Sequence, residues 1–468
     1  MARHSENPTQ SMTTRIPLVY RAIRQLVRVL VTVFYRRIET SGLEHVPSRG
    51  PLILAATHQN ALVDPMLLMA TIPRRMVPLA KAPLFHTPVI GGFLRAVAAI
   101  PVHRRQDSPD GAADNREMFQ QAGATLARDT AILIFPEGRS QPEPALMPLR
   151  TGAARILLQV QSEIREPVTL LPIGLVYHEP ATFRAARAWI LVGEPVDTSD
   201  CVARYHDDPE GAVRLLTERL TEVLRVRIVE ADDRQTLRLL TTLESMWRQE
   251  APDAARDAAA QAARMRGMMR AYRYLALRED ARVARFRDEV VRYAVDLELT
   301  GFAGAALPES YPAGAVFRYA LREIASLVVG FPLAVGGIVN HFLPYQIIRL
   351  IVNAAHPEAD VEVTYKLVGS LILYPVIWLA ETLVVWRFAG GGLALLFAAS
   401  LLPTGFFAVT WRERLHRFIR DTAGFIQFLT GGSLRQRLIA RRRELIQEME
   451  DLARLVPEEV MADPTPER

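Results

Sequence analysis

A histidine and an aspartate close together in the chain are the first residues whose types could do chemistry. His58 and Asp64 lie in the segment Thr-His-Gln-Asn-Ala-Leu-Val-Asp-Pro, residues 57–65, which directly follows the apolar run 51–56. A carboxylate that binds one imidazole nitrogen fixes the tautomer of the ring, and the other nitrogen can then accept a hydroxyl proton. The pair therefore has the minimum equipment of a general base. The alternative is a structural loop pair, because Asp64 before Pro65 also predicts a helix N-cap followed by a proline at the first helical position.

Two more apolar runs end in residues that could bind a substrate. Arg104 and Arg105 follow the run Ala-Ile-Pro-Val-His, residues 99–103, and paired guanidinium groups are planar donors suited to a phosphate. The apolar run 131–135 stops abruptly in a Pro-Glu-Gly-Arg turn, which contains Glu137, Gly138 and Arg139. Taken singly, a surface arginine pair and a simple turn explain these features equally well.

The segment between Gly50 and Val196 must position these residues. It alternates short apolar runs with helical patterns, which is typical of an α/β sheet domain. The predicted strands are residues 51–56, 76–80, 97–102, 131–135, 169–176 and 188–192, and the predicted helices are 65–70, 113–128 and 152–161. Ligands bind at the carboxyl ends of strands in such sheets, and the predicted order places His58 at one of these ends.

Helical patterns flank the predicted sheet on both sides. An apolar stretch runs from Arg15 to Arg37 and is interrupted by Arg21, Arg24 and Arg28, whose spacing forms one basic stripe on a helix. This pattern predicts an interfacial helix that lies on anionic lipid, and an amphipathic helix packed on its own domain is the alternative. Residues 207–297 are rich in Ala, Arg, Leu and Glu with few helix breakers, which predicts a helical region.

The last third of the chain is apolar enough to enter a membrane. Residues 367–385 and 390–411 are each long enough to span a bilayer, and so few residues separate them that they should form a hairpin. Residues 325–352 are interrupted by His341, Pro344 and Arg349, which predicts a broken or re-entrant segment. Basic residues flank the hairpin at Lys366, Arg412, Arg414 and Arg417, so both of its outer ends should be cytoplasmic. The alternative to a membrane hairpin is a buried pair of apolar helices. Residues 433–455 predict a charged helix that contacts either anionic headgroups or water.

The composition fits a polar domain joined to a lipid-facing segment. Hydrophobic residues make up 50% of the 468 residues, with a mean hydropathy of +0.08 and a net charge of +5. The excess of positive charge could favour anionic lipids, phosphorylated substrates or nucleic acid. The only cysteine, Cys201, excludes an intrachain disulfide and a cysteine-cluster metal site. No Gly-x-Ser-x-Gly nucleophile elbow is present.

The order of these motifs resembles the glycerolipid acyltransferase family, which includes glycerol-3-phosphate and lysophosphatidic-acid acyltransferases. The resemblance rests on four blocks within residues 35–200: the His-Asp loop, the Ile-Pro-Val strand with its arginines, the Phe-Pro-Glu-Gly turn and the Leu-Pro-Ile strand. One departure is that five residues, not four, separate His58 from Asp64. The wording of residues 60–65 resembles a subgroup with fungal glycerol-3-phosphate/dihydroxyacetone-phosphate acyltransferases and bacterial relatives.

The resemblance implies a role for each motif residue. His58 would deprotonate the acceptor hydroxyl, and Asp64 would orient it. The residues implied in substrate binding are Asn60, Arg104 for the acceptor phosphate with Arg105 as its helper, Glu137, Gly138 and Arg139 lining the acceptor site, and Pro172 in the strand beside the acyl chain or its carrier. Neither a metal nor a cofactor is implied, and acyl-CoA or acyl carrier protein would be the co-substrate.

These observations together predict a membrane-bound acyltransferase of the α/β class. We expect an interfacial helix at 1–38, the α/β acyltransferase domain at 39–204, a helical region at 205–323, membrane segments at 324–412 and a charged helical tail at 413–468. The expected reaction moves a fatty acyl group to glycerol-3-phosphate or 1-acylglycerol-3-phosphate in phospholipid biosynthesis, with the catalytic domain on the cytoplasmic side of a bacterial-type inner membrane. The alternative is an inactive membrane-associated scaffold or lipid-binding protein that retains the fold. Nucleic-acid binding is not expected, because no motif for it is recognised.

Overall fold

The structure is a computed structural model that describes residues 18–103, 116–178, 183–184, 186–251, 257–278, 281–299, 313–430 and 432–462. The chain divides into two compact units. The first unit contains the sheet and ends at Ile228. The second unit begins at Val229, is helical, and also includes the short segment Glu143–Ala145.

One sheet organises the first unit. Its seven strands within the described residues are β1 (Arg37–Ser41), β2 (Leu52–Ala56), β3 (Met76–Lys81), β4 (Ile100–Val102), β5 (Ala131–Ile134), β6 (Thr169–His178) and β7 (Arg187–Val192). They lie in the order β1-β7-β6-β2-β5-β3-β4. All neighbours are parallel except β6 and β7. The carboxyl ends of β2 to β6 therefore meet at one edge of the sheet.

Helices pack against this sheet and complete its core. Within the described residues they are α1 (Leu18–Phe34), α2 (Val63–Thr71), α3 (Ile90–Ala96), α4 (Arg116–Leu126), α5 (Gly152–Glu163), α6 (Ser199–Tyr205) and α7 (Pro209–Arg225). Apolar side chains of the sheet and of α5 and α7, such as Ile53, Leu157 and Leu216, are buried in one cluster. Because α7 belongs to this cluster, the unit extends to Ile228, beyond the predicted end at residue 204.

The α/β architecture predicted from the sequence is confirmed, with two local differences. No strand was expected at β1, since its sequence Arg-Ile-Glu-Thr-Ser has little apolar character. Residues 97–99 do not belong to the predicted strand 97–102. Ala98 has a φ of 59°, a left-handed conformation that a strand cannot contain, so β4 begins only at Ile100.

The N-terminal helix α1 is docked on its own domain. Its side chains Tyr20, Val27 and Val31 are buried, and two of its arginines bind backbone carbonyls at the end of α2. Arg24 donates to the Ile72 carbonyl at 2.6 Å, and Arg28 donates to the Ala70 carbonyl at 3.1 Å. The carbonyls at a helix C-terminus lack intrahelical partners and attract cations. These two arginines therefore do not form the lipid-facing stripe that the sequence predicted.

The outward face of α1 carries large apolar side chains as well as the exposed Arg21. Its exposed large apolar side chains are Leu18, Val19, Leu26 and Val29. Exposed apolar side chains on an amphipathic helix are the ones that enter the headgroup region of a bilayer. Contact of α1 with lipid remains a prediction, and these residues are the apolar side chains that are exposed for it.

The second unit combines a polar helical bundle with long apolar helices. Its helices within the described residues are α8 (Arg234–Glu250), α9 (Ala258–Ala276), α10 (Ala281–Leu299), α11 (Ala313–Ala355), α12 (Glu362–Ala389), α13 (Gly391–Thr430), α14 (Gly432–Ala453) and α15 (Glu458–Met461). The predicted helical region after the sheet is thus confirmed. Helix α14 has an exposed face, and its other face packs in the bundle. Arg442 pairs with Glu250 at 2.5 Å, and Leu445 is buried with Phe286, so α14 is part of the bundle.

Three helices in the described residues are long and apolar enough to cross a membrane: Phe317–Ala355, Glu362–Ala389 and Gly391–Thr422. The backbone of α11 is not broken, although Pro332 and Pro344 lie inside it. Proline is tolerated in apolar helices because neighbouring helices supply the lost contacts, and α11 packs against both α12 and α13. Its N-terminal half lies beside the C-terminal part of α13, where Glu323 pairs with Arg414 at 2.5 Å.

Candidate active site

The sheet brings two of the predicted motifs to the same edge. Strands β2 and β5 are parallel neighbours, so the loop after Ala56 and the turn after Ile134 emerge side by side. The backbone of His58 is held between both ends of this turn. Its N–H donates to Glu137 Oε1 at 2.7 Å, and its carbonyl accepts from the Gln141 N–H at 3.1 Å. His58 therefore sits at the carboxyl edge of the sheet, as predicted.

His58 and Asp64 are in direct contact. His58 Nδ1 lies 2.7 Å from Asp64 Oδ2, and the Asp64 side chain is fully buried. The same Oδ2 accepts the backbone N–H groups of Gln59 and Asn60, each at 2.8 Å. A carboxylate that accepts from so many donors requires the Nδ1 proton of the imidazole, which leaves Nε2 as the basic nitrogen. Within the described residues Nε2 has no hydrogen-bond partner.

The longer loop returns Asp64 to His58 by a tight turn. The Asn60 carbonyl accepts the N–H groups of both Val63 and Asp64, at 2.8 and 3.2 Å, and Ala61 has a positive φ of 28°. The prediction that Asp64 is the N-cap of α2 is wrong. The helix begins at Val63, and the cap position is Leu62. The carboxylate turns back to the loop instead, where its Oδ2 accepts from His58, Gln59 and Asn60.

Glu137 acts as a brace between two loops. Only 3% of it is exposed, and its second oxygen accepts the Met147 N–H at 3.1 Å. Burial raises the pKa of Glu137 to about 7, and the hydrogen bonds from His58 and Met147 oppose this shift without cancelling it. Its carboxylate is committed to these backbone groups, so its structural role is to hold His58. Its predicted contact with the acceptor stays a prediction.

The other predicted binding residues occupy different environments. Arg139 is exposed, in the turn that encloses His58, and Gly138 has the left-handed φ of 74° that this turn requires. Pro172 is buried in β6, opposite Ala55 of β2. Asn60 is buried, donates to the Tyr35 hydroxyl at 3.2 Å, and keeps its Oδ1 without a hydrogen-bond partner among the described residues. Arg104 and Arg105 lie outside the described residues, so their part in phosphate binding remains a prediction.

Three aromatic residues belong to the site, although none of them was predicted as a site residue. The Phe135 ring stacks on the His58 ring with centroids 4.0 Å apart. The Tyr177 hydroxyl donates to Asp64 Oδ1 at 2.5 Å, and the Tyr35 ring lies 6.0 Å from the Tyr177 ring. Phe135 could have been found, because it directly precedes the Pro-Glu-Gly turn. The tyrosines are distant in sequence and carried no signal.

The raised pKa of Glu137 predicts how the first unit responds to pH. An acid whose pKa is higher in the folded state stabilises the fold below its unfolded pKa of 4.5, and loses this contribution as pH rises through about 7. A shift of this size corresponds to about 3 kcal/mol. We expect the thermal midpoint of the wild type to fall between pH 5 and pH 8 by several degrees more than that of Glu137→Gln. Glu163→Gln, at an exposed site on α5, should behave as the wild type, and equal slopes for all three proteins would contradict the assignment.

An imidazole that a buried carboxylate orients, at the open edge of an α/β sheet, can act as a general base toward a substrate hydroxyl. Residues 37–176 match the family model described as acyltransferase. An uncharacterized acyltransferase of Schizosaccharomyces pombe is 24% identical over 317 residues, 49% of this chain and 47% of the relative. Glycerol-3-phosphate O-acyltransferase 1 of Saccharomyces cerevisiae is 25% identical over 319 residues, 49% of this chain and 42% of the relative.

A shorter match links the same domain to a second group of enzymes. 1-Acyl-sn-glycerol-3-phosphate acyltransferase alpha of Bos taurus is 28% identical over 165 residues, 35% of this chain and 55% of the relative. The chain spans about half the length of these curated relatives. The resemblance inferred from the four motifs is confirmed: residues 37–176 match the acyltransferase model, and the relatives include a glycerol-3-phosphate and a 1-acylglycerol-3-phosphate acyltransferase.

Proposed function

We propose that this protein transfers a fatty acyl group from a thioester to a hydroxyl of glycerol-3-phosphate or 1-acylglycerol-3-phosphate, with His58 as the general base. The observation that carries the proposal is the 2.7 Å contact between His58 Nδ1 and the buried Asp64, which leaves Nε2 for a substrate hydroxyl. The two acceptors are those in the names of the relatives from S. cerevisiae and Bos taurus. The donor is acyl-CoA or acyl carrier protein, and no further cofactor is proposed.

The proposed reaction needs no covalent enzyme intermediate. Nε2 of His58 takes the proton of the acceptor hydroxyl while the hydroxyl oxygen attacks the thioester carbonyl. The new C–O bond gives a tetrahedral intermediate, which collapses as the C–S bond breaks, and the imidazolium returns its proton to the leaving thiolate. Asp64 stabilises the imidazolium between these two steps. Burial raises the pKa of the Cys201 thiol to about 11, so it stays protonated at neutral pH and is a poor nucleophile.

The acceptor phosphate is proposed to bind at the arginine side of the turn. Arg139 is an exposed guanidinium two residues from Glu137 and two from Gln141, the residues that hold the His58 backbone. A phosphate bound there would lie close to the imidazole, and a guanidinium can donate two parallel hydrogen bonds to it. Arg104 and Arg105 are proposed to assist, and Gly138, Asn60 and Pro172 to border the substrates.

A direct assay tests the proposed reaction. Membranes containing the full-length protein are given labelled acyl-CoA or acyl carrier protein thioester with glycerol-3-phosphate, dihydroxyacetone phosphate or 1-acylglycerol-3-phosphate. We expect an acylated product with at least one acceptor, and its position identifies the hydroxyl used. Absence of transfer for every combination would favour the alternative, an inactive scaffold or lipid-binding protein that retains the fold.

The membrane part is proposed to cross the bilayer as one hairpin. Helix α10 precedes the apolar region and α14 follows it, yet both lie in the same polar bundle, where Arg441 pairs with Glu289 at 2.9 Å. The apolar region therefore begins and ends on one side of a membrane, which requires an even number of crossings. Helices α12 and α13, joined only at Gly390, supply two crossings. Helix α11 is then proposed to enter the membrane without crossing it. Its 43 residues make it about 65 Å long, which exceeds the roughly 30 Å hydrocarbon core.

Cysteine labelling checks this topology. In a Cys201→Ser background, single cysteines replace Gly392 at the hairpin tip, Glu358 between α11 and α12, and Glu459 on α15, all of which are exposed. Lys366 and the arginines after the second span support a cytoplasmic location of the outer ends in a bacterial-type cell, because positive charge favours that side. We expect an impermeant maleimide to label Gly392→Cys from outside the cell. It should label the other two variants only in inside-out vesicles. External labelling of Glu358→Cys would show that α11 crosses.

A further inference from the structure

Strand β6 extends beyond the end of its neighbour β2, and this overhang covers the catalytic loop. The last residue of β2, Ala56, pairs with Ile173, whereas β6 continues to His178 with only β7 beside it. The overhang is tied to the loop at its start, since the Leu175 N–H donates to the Thr57 hydroxyl at 2.9 Å. Two residues further along the same face, Tyr177 lies over Asp64.

The two oxygens of Asp64 have separate partners. Oδ2 accepts from the imidazole and from two backbone N–H groups, all of which belong to the loop itself. Oδ1 accepts from the Tyr177 hydroxyl at 2.5 Å, which belongs to a strand 113 residues away. The loop alone therefore supports only one side of the carboxylate, and a rotation of the side chain would remove Oδ2 from the imidazole. The hydroxyl on Oδ1 opposes this rotation.

We propose that Tyr177 is a positioning residue for the acyl transfer, which fixes Asp64 by donating to the oxygen that the imidazole does not use. This inference rests on the proposed function of His58 and Asp64. It also accounts for how the loop with an additional residue keeps its geometry, because an anchor from the rigid sheet supplements the contacts within the loop.

Tyr177 is suited to be a permanent donor. It is buried, and burial together with the charge of Asp64 raises its pKa well above the ordinary value of 10. The hydroxyl therefore keeps its proton throughout the neutral range. Tyr35, packed against it, is similarly buried and has a pKa raised well above 10, so it also stays neutral.

The test is Tyr177→Phe, which removes one oxygen and keeps the ring. A hydrogen bond to a charged group typically contributes enough to change a rate by about 10- to 100-fold. We expect kcat to fall by this factor while KM for both substrates stays within about twofold. We also expect the acidic limb of the pH–rate profile to move to higher pH. A carboxylate that has lost a hydrogen-bond donor is more basic, so the His58–Asp64 pair binds its proton more strongly. The position of the limb does not depend on the amount of folded enzyme.

Two controls separate this role from a structural one. Tyr20→Phe also removes a buried tyrosine hydroxyl of the first unit, one that accepts the Met76 N–H at 3.1 Å, and it should leave kcat and the limb unchanged. Glu137 titrates near neutral pH and is influenced by Asp64, so the limb is also compared in a Glu137→Gln background. Among the described residues, the other ionisable groups that interact with Asp64 are His58, Tyr35 and Tyr177 itself.

The outcomes distinguish this inference from the proposed function. If the wild type is active, His58→Ala is inactive, and Tyr177→Phe matches the wild type in both kcat and limb position, then the inference about Tyr177 is wrong and the proposed function stands. If neither the wild type nor any variant transfers acyl groups, the proposed function fails. Within a His58→Ala background, Tyr177→Phe should cause no further loss, and an additional tenfold loss would show that it acts independently of the imidazole.

Discussion

Replacement of His58 by alanine should lower acyl transfer by about 10³-fold or more, since general-base catalysis contributes about 10²- to 10⁴-fold and His58 offers the only nitrogen base in the described site. The loss should appear in kcat, because the groups proposed to bind the acceptor phosphate remain in place. The rate is measured with the acceptor that the wild type prefers, at saturating donor. The backbone of position 58 keeps its bonds to Glu137 and Gln141, so the turn should persist.

A second His-Asp pair in the same unit provides the matched control. His206 Nδ1 lies 3.1 Å from Asp207 Oδ1, but both side chains are almost completely exposed, far from the geometry of a catalytic pair. His206→Ala should therefore retain wild-type activity and the same thermal midpoint. Full activity in His58→Ala, measured beside this control, would eliminate the proposed mechanism.

The positions of His58 and the Glu137 turn at the sheet edge could be predicted from the sequence because they depend on local patterns. An apolar run followed by a polar loop identifies a buried strand and its end, so the positions of His58 and of the Glu137 turn follow once the strands are parallel. The same reasoning failed for Asp64, whose place before a proline resembles an N-cap. Its hydrogen bonds are decided by the turn at Asn60 and by His58, which no short-range rule describes.

Contacts between distant segments account for what the sequence did not predict. The bond from Tyr177 to Asp64 joins residues 113 positions apart, and a tyrosine in an apolar strand gives no indication of it. The arginine stripe on α1 was recognised, but periodicity gives the spacing of a face and not its direction. Arg24 and Arg28 therefore pointed equally to lipid and to protein, and the free carbonyls at the end of α2 bind them.

Asp64→Asn should separate the charge of the carboxylate from its shape. The amide oxygen can take the place of Oδ2 and keep the bonds to His58, Gln59 and Asn60, while the amide nitrogen can donate to the Tyr177 hydroxyl, which then acts as acceptor. The imidazole stays in position, but the imidazolium formed during the reaction loses its counter-charge. We expect kcat to fall by about 10²- to 10⁴-fold, the range that general acid–base catalysis contributes, with little change in KM.

Comparison with Asp64→Ala shows whether charge or packing is lost. Alanine leaves two backbone N–H groups and a tyrosine hydroxyl unsatisfied in a buried place, each at a cost of about 1–3 kcal/mol, so this variant should also be markedly less stable than Asp64→Asn. Asp208→Asn, at the exposed cap of α7, serves as the control and should leave activity unchanged. If Asp64→Asn kept more than a tenth of the wild-type kcat, the imidazolium would not need this carboxylate, and His58 would have to act without electrostatic support from Asp64.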